Sequence, residues 1–171
     1  PRAPMATARS EATTALLKNG KVLVAGGVGR DTAELHDPAA NTWAPTGNNM
    51  SRARSRHAMV TLVNGQVLAV GGQEDPTGSA DLYDPPTDRW AGAGSLGSGR
   101  WNLTATLLPC GEVLEAGGEV SSGVAVTSAS RSPSVSPTQA ITDRPASSAA
   151  AARRATVSSV SPKCCRRSEW P

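Results

Sequence analysis

Lys21-Val22-Leu23-Val24-Ala25-Gly26-Gly27 reads as a short apolar strand closed by a glycine doublet. The same wording returns as Gln66-Val67-Leu68-Ala69-Val70-Gly71-Gly72 and again as Glu112-Val113-Leu114-Glu115-Ala116-Gly117-Gly118. The doublets lie 45 and then 46 residues apart. A fixed period of this length marks a repeat architecture in which each repeat is one supersecondary unit. Other features keep the register. Asn19-Gly20, Asn64-Gly65 and Cys110-Gly111 precede the apolar runs. Met5-x-x-Ala8-Arg9 returns as Met50-x-x-Ala53-Arg54 and more loosely as Leu96-x-x-Gly99-Arg100. Ala33-Glu34-Leu35-His36-Asp37-Pro38 matches Ala80-Asp81-Leu82-Tyr83-Asp84-Pro85, with Trp43 and Trp90 each five residues beyond the proline.

Each repeat predicts four short strands. The first covers Ala12–Leu17, Ala58–Val63 and Thr104–Leu108. Asn-Gly then predicts a two-residue hairpin of type I′, whose central positions both need φ > 0. The apolar second strand is too continuous to leave one face wet, so both faces should be covered. Its glycine doublet ends the strand and admits another backbone where a Cβ would clash. The third strand contains Glu34-Leu35-His36 or Asp81-Leu82-Tyr83, and Asp-Pro opens the next turn. The fourth begins at Trp43 or Trp90, whose large apolar surface suits packing between neighbouring units.

Four antiparallel strands in about 45 residues is the unit of a β-propeller. No Trp-Asp pair ends any repeat, which argues against WD40 blades. The glycine doublets, Tyr83 in the third strand and the spaced Trp resemble the kelch family, specifically its bacterial form. The fold class expected is all-β: two complete kelch blades plus part of a third, an incomplete propeller with a disordered C-terminal tail. Structural positions of that motif are Gly26, Gly27, Trp43, Gly71, Gly72, Tyr83, Trp90, Gly117 and Gly118.

The organisation follows from the register. Residues 1–4 end a preceding blade, 5–49 form blade 1, 50–95 blade 2 and 96–129 a partial blade 3. After Ala129 the expected Glu-Leu-Tyr-Asp-Pro is replaced by Ser130-Arg131-Ser132-Pro133. Residues 130–171 hold 22 Ser, Ala or Pro among 42. Such a composition buries too little apolar surface to offset chain entropy, so it reads as a disordered tail or as the product of a shifted reading frame. An open set of blades also leaves sheet faces uncovered, which predicts self-association.

Charge is split along the chain. Residues 1–129 carry 10 Lys/Arg against 12 Asp/Glu, a net −2, whereas 130–171 carry 7 against 2, a net +5. The folded part therefore lacks the basic footprint of a nucleic-acid binder, and no apolar run is long enough for a membrane helix. Three cysteines, Cys110 and the adjacent Cys164-Cys165, give neither a disulfide framework nor paired zinc ligands. No metal, cofactor, nucleic-acid or membrane partner is expected.

Residues present in every blade, such as Arg9, Arg54 and Arg100, read as framework. Recognition belongs where blades differ, in the loops at strand ends. Binding candidates are Arg30 and Asp31 within Val28–Asp31, Gln73, Glu74 and Asp75 within Gln73–Gly78, and Glu119 within Glu119–Gly123. His57 stands where the other repeats have Ala12 and Leu103, and it reads as a packed core histidine. His36 takes the place of Tyr83, and Glu115 stands on a buried strand where Val24 and Ala69 do elsewhere. No catalytic residue is assigned, because no nucleophile elbow, phosphate loop or zinc-type histidine motif is present.

The resemblance implies a non-catalytic scaffold that binds a protein or a glycan through its inter-strand loops. It also implies an extracellular or cell-envelope setting. The alternative is a piece of a larger secreted propeller enzyme, galactose-oxidase-like or glycan-active, with its catalytic residues elsewhere. One Tyr and two His cannot assemble such an oxidase's copper site here.

Overall fold

The computed structural model describes residues 3–96, 98–122, 124–125 and 129–132, and among them there are strands but no helix. Blade 1 is an antiparallel sheet of β1 (Thr13–Leu16), β2 (Val22–Ala25), β3 (Ala33–Asp37) and β4 (Thr42–Pro45), in that order. Blade 2 repeats it with β5 (Ala58–Thr61), β6 (Val67–Val70), β7 (Ser79–Asp84) and β8 (Arg89–Ser95). Blade 3 holds β9 (Thr104–Leu107), β10 (Val113–Ala116) and β11 (Ala129–Ser132).

The blades stack face to face along their first strands. Thr13 Oγ1 donates to the His57 carbonyl (2.9 Å) and Thr61 Oγ1 to the Leu16 carbonyl (3.1 Å). Between blades 1 and 2, Leu17, Leu23, Ala25 and Ala33 pack with Val67, Ala69, Tyr83 and Trp90. The opposite face of blade 2, with Leu68, Val70 and Leu82, packs with Leu103 and Val113 of blade 3. Every residue of β6 is buried, as its unbroken apolar run requires. Trp90 is buried between blades, and its ring lies 5.2 Å from that of Tyr83; His36 and Trp43 repeat the contact at 4.7 Å.

The structure corrects two expectations. The hairpins are not type I′. Leu17 N donates to Lys21 O and Gly20 N to Leu17 O, and the pattern repeats at Leu62/Gln66/Gly65 and Leu108/Glu112/Gly111. Only Gly20, Gly65 and Gly111 have φ > 0, at 81°, 93° and 86°. This is a type I turn followed by a left-handed glycine in a three-residue loop. Because the residue before the glycine keeps an ordinary φ, Cys110 fits where Asn19 and Asn64 stand.

The second correction concerns the end of blade 3. Strand pairing continues past Ala129: β11 pairs with β10 through Ala116↔Ala129, Glu115↔Ser130, Leu114↔Arg131 and Val113↔Ser132. Backbone hydrogen bonds carry the ladder even where the repeat's side chains have gone. The expectation of a disordered or out-of-frame tail beyond Ser132 falls outside the described residues.

Candidate functional site

The repeated arginine joins one blade to the next. Its carbonyl accepts from the preceding blade's glycine doublet, Gly27 N to Arg54 O and Gly72 N to Arg100 O, both at 2.9 Å. A Cβ at Gly71 would stand 2.5 Å from the Arg100 carbonyl oxygen, and Gly71 has φ +74°, so only glycine allows this approach. The side chain turns into its own blade. Arg54 is fully buried and donates to Gly71 O (2.7 Å), Ser79 O (2.8 Å), Asp75 Oδ2 (3.2 Å) and Asp81 Oδ2 (2.8 Å). Arg9 repeats this with Gly26 O, Thr32 O and Glu34 Oε1. A buried guanidinium with carboxylates and carbonyls around it is framework chemistry, as its recurrence suggests.

With the arginines inside, the loops after the doublets and the links before the first strands form one end of the blades. Arg30 and Gln73 are exposed there. Asp31 is half-buried, and its Oδ2 accepts from Asn49 Nδ2 at 3.3 Å. Glu74 bridges two blades, accepting from Gly29 N (3.2 Å) and Ser55 N (2.6 Å). Burial pushes its carboxyl up, but the hydrogen bonds from Ser55 and Gly29 outweigh that and hold it below the usual range. Glu119 exchanges two backbone hydrogen bonds with Trp101, at 2.8 and 3.0 Å, and its Oε1 accepts from Asn102 Nδ2 at 3.0 Å.

Asp75 is different. It is 1 % exposed and accepts from Arg54, from Thr77 N and Oγ1, and from Ser79 Oγ. Its lone pairs are engaged in holding the loop and the arginine. Asp75 is removed from the binding candidates.

The sequence reading missed a second row at this end. Glu11, Arg56 and Asn102 occupy one repeat position and share a left-handed backbone, with φ of 59°, 52° and 54°. They step from blade to blade: Arg56 N donates to Glu11 O (3.2 Å) and Asn102 N to Arg56 O (2.9 Å). The Arg56 guanidinium meets Glu11 Oε1 at 2.6 Å, and the charges of Glu119 and Glu74 add to its field. Just before this row stand Ser10, Ser55 and Trp101. The signal was legible, because a repeat position that keeps its backbone but changes its side chain is where blades differ.

Residues 53–97, from the start of the Arg54 link to the end of β8, match the family model described as Kelch motif. Blade 2 carries a kelch motif. The matched span is blade 2, and blades 1 and 3 share its doublet, arginine and strand register. No curated protein matches the chain. In kelch terms the buried arginine and the glycine doublet build the blade, and the variable row faces outward at one end.

Proposed function

We propose that this chain is a non-catalytic kelch scaffold that binds a protein or glycan ligand at the end formed by the loops after the glycine doublets. One observation carries the reading. The interior keeps its chemistry from blade to blade, as Arg9, Arg54 and Arg100, while the adjoining exposed row changes from Glu11 to Arg56 to Asn102. Constant inside and variable at one rim is the pattern of a framework that presents a recognition surface. Arg30, Asp31, Gln73, Glu74 and Glu119 belong to that end.

Self-association is a further part of the proposal. Thr104 and Thr106 are exposed, and Leu114 and Ala116 half-buried, on the side of blade 3 away from blade 2. Among the described residues no sheet lies against that face. Peptide and glycan arrays test the reading with two variants. Arg30→Ala/Gln73→Ala/Arg56→Ala alters the loop end, and Lys18→Ala/Asn64→Ala alters the opposite, hairpin end. Binding lost only in the first supports the reading; binding lost only in the second refutes it.

A further inference from the structure

Each join between blades brings together two different faces. Toward blade 1, blade 2 buries Met50, Val67, Tyr83 and Trp90; toward blade 3 it buries Leu62, Leu68 and Val70. The first face meets Leu17, Leu23 and Ala25 of blade 1, which hold the repeat positions of Leu62, Leu68 and Val70. The backbone crosses each join with the same polarity. Gly27 N donates forward to Arg54 O and Gly72 N to Arg100 O, while Arg56 N donates back to Glu11 O and Asn102 N to Arg56 O.

The faces left over are therefore of opposite kind. Blade 3 presents Leu108, Leu114 and Ala116, all half-buried, where their counterparts in blades 1 and 2 are buried. Blade 1 presents Met5, Val22 and Trp43, also half-buried, where Met50, Val67 and Trp90 of blade 2 are buried. Leu16 is 66 % exposed. It holds the repeat position of Thr61, whose hydroxyl reaches across the first join to the Leu16 carbonyl. Among the described residues no sheet lies against either face.

We propose that two copies of this chain pair head to tail, the blade 3 face of each receiving the blade 1 face of the other; this rests on the self-association reading above. Such a contact continues the register of the two joins already formed. Leu114 meets the second copy's Val22 as Leu23 meets Val67, and Gly118 faces the second copy's Arg9 as Gly72 faces Arg100. A symmetric contact of blade 3 with blade 3 would set like rows together and lose that pairing. Contacts between unlike faces close into a ring when the rotation allows it. Two copies carry six blades, from three in each, and propellers close with about four to eight. Association should therefore stop at two chains.

Sedimentation equilibrium of the full chain and two variants tests this. Leu114→Lys places a charge on the blade 3 face, and Leu16→Lys places one on the blade 1 face. The unaltered chain is expected to approach twice the chain mass and stop there. Each variant alone should lose about ten-fold or more in pairing affinity. An equimolar mixture of the two should regain pairs, because one intact blade 3 face then meets one intact blade 1 face. That recovery also shows that both variants are folded. Leu16→Lys pairing as well as the unaltered chain, a mixture that stays monomeric, or growth past two chains overturns the head-to-tail pair and leaves self-association standing. An unaltered chain that is monomeric at every concentration overturns both.

Discussion

His57 shows how one side chain reports on the join between blades. It is 5 % exposed, and neither ring nitrogen has a hydrogen-bond partner. A Cβ at Gly26 of the neighbouring blade would stand 2.8 Å from its Cε1. Burial, and then the Arg54 charge, push its pKa down from 6.5 to about 4, against a smaller opposing pull from Glu74. The folded state therefore keeps it neutral while the unfolded chain takes up a proton below pH 6.5. Its contribution is complete above pH 6.5 and falls as pH drops through the window to about 4, a loss of about 3 kcal/mol. Leu103 fills the same place in the next blade, where a Cβ at Gly71 would lie 2.8 Å from its Cδ2. His57→Leu should therefore raise stability at pH 7 by about 1 kcal/mol, and flatten this part of the acid dependence. Urea unfolding of both proteins at pH 7 and pH 4.5 checks it; a parallel loss in the variant would show that the acid sensitivity lies elsewhere.

Strands and turns were largely readable from the chain, because a 45-residue period multiplies weak local signals. Turn type was not, since Asn-Gly suits both a two-residue and a three-residue loop and only the backbone pairing separates them. Asp75 was misread for a related reason: its loop is at the surface, but Arg54 draws the carboxylate inward. Blade 3 adds a case in which register explains composition. Glu115 lies directly across from Ser130, as Val24 lies across from Glu34 and Ala69 from Asp81. The carboxylate has moved from the third strand to the second, and Glu115 is 0 % exposed. Glu115→Val should destabilise the protein by about 2–4 kcal/mol, and adding Ser130→Asp should recover part of that loss. Denaturant unfolding of the two single variants and the double variant checks the coupling; independent, additive effects would separate the two positions.

Taken together, the three blades form a stack whose inner faces are closed and whose last described face is not. Blade 2 is covered on both sides, whereas Leu114 and Ala116 of blade 3 keep partial access to water. Open sheet faces with strand edges favour association. Multi-angle light scattering across a concentration series should show a mass above the monomer that rises with concentration. Leu114→Lys, which places a charge on that face, should lower it. A strictly monomeric species for the unaltered chain would contradict this.

The binding account meets its sharpest trial in amide hydrogen exchange, with and without an array probe that binds. The account predicts slowed exchange at residues 28–31, 73–78, 119–122, 55–57 and 101–102, with the hairpins around Gly20, Gly65 and Gly111 unchanged. Protection confined to those hairpins would place recognition at the wrong end of the blades and contradict it.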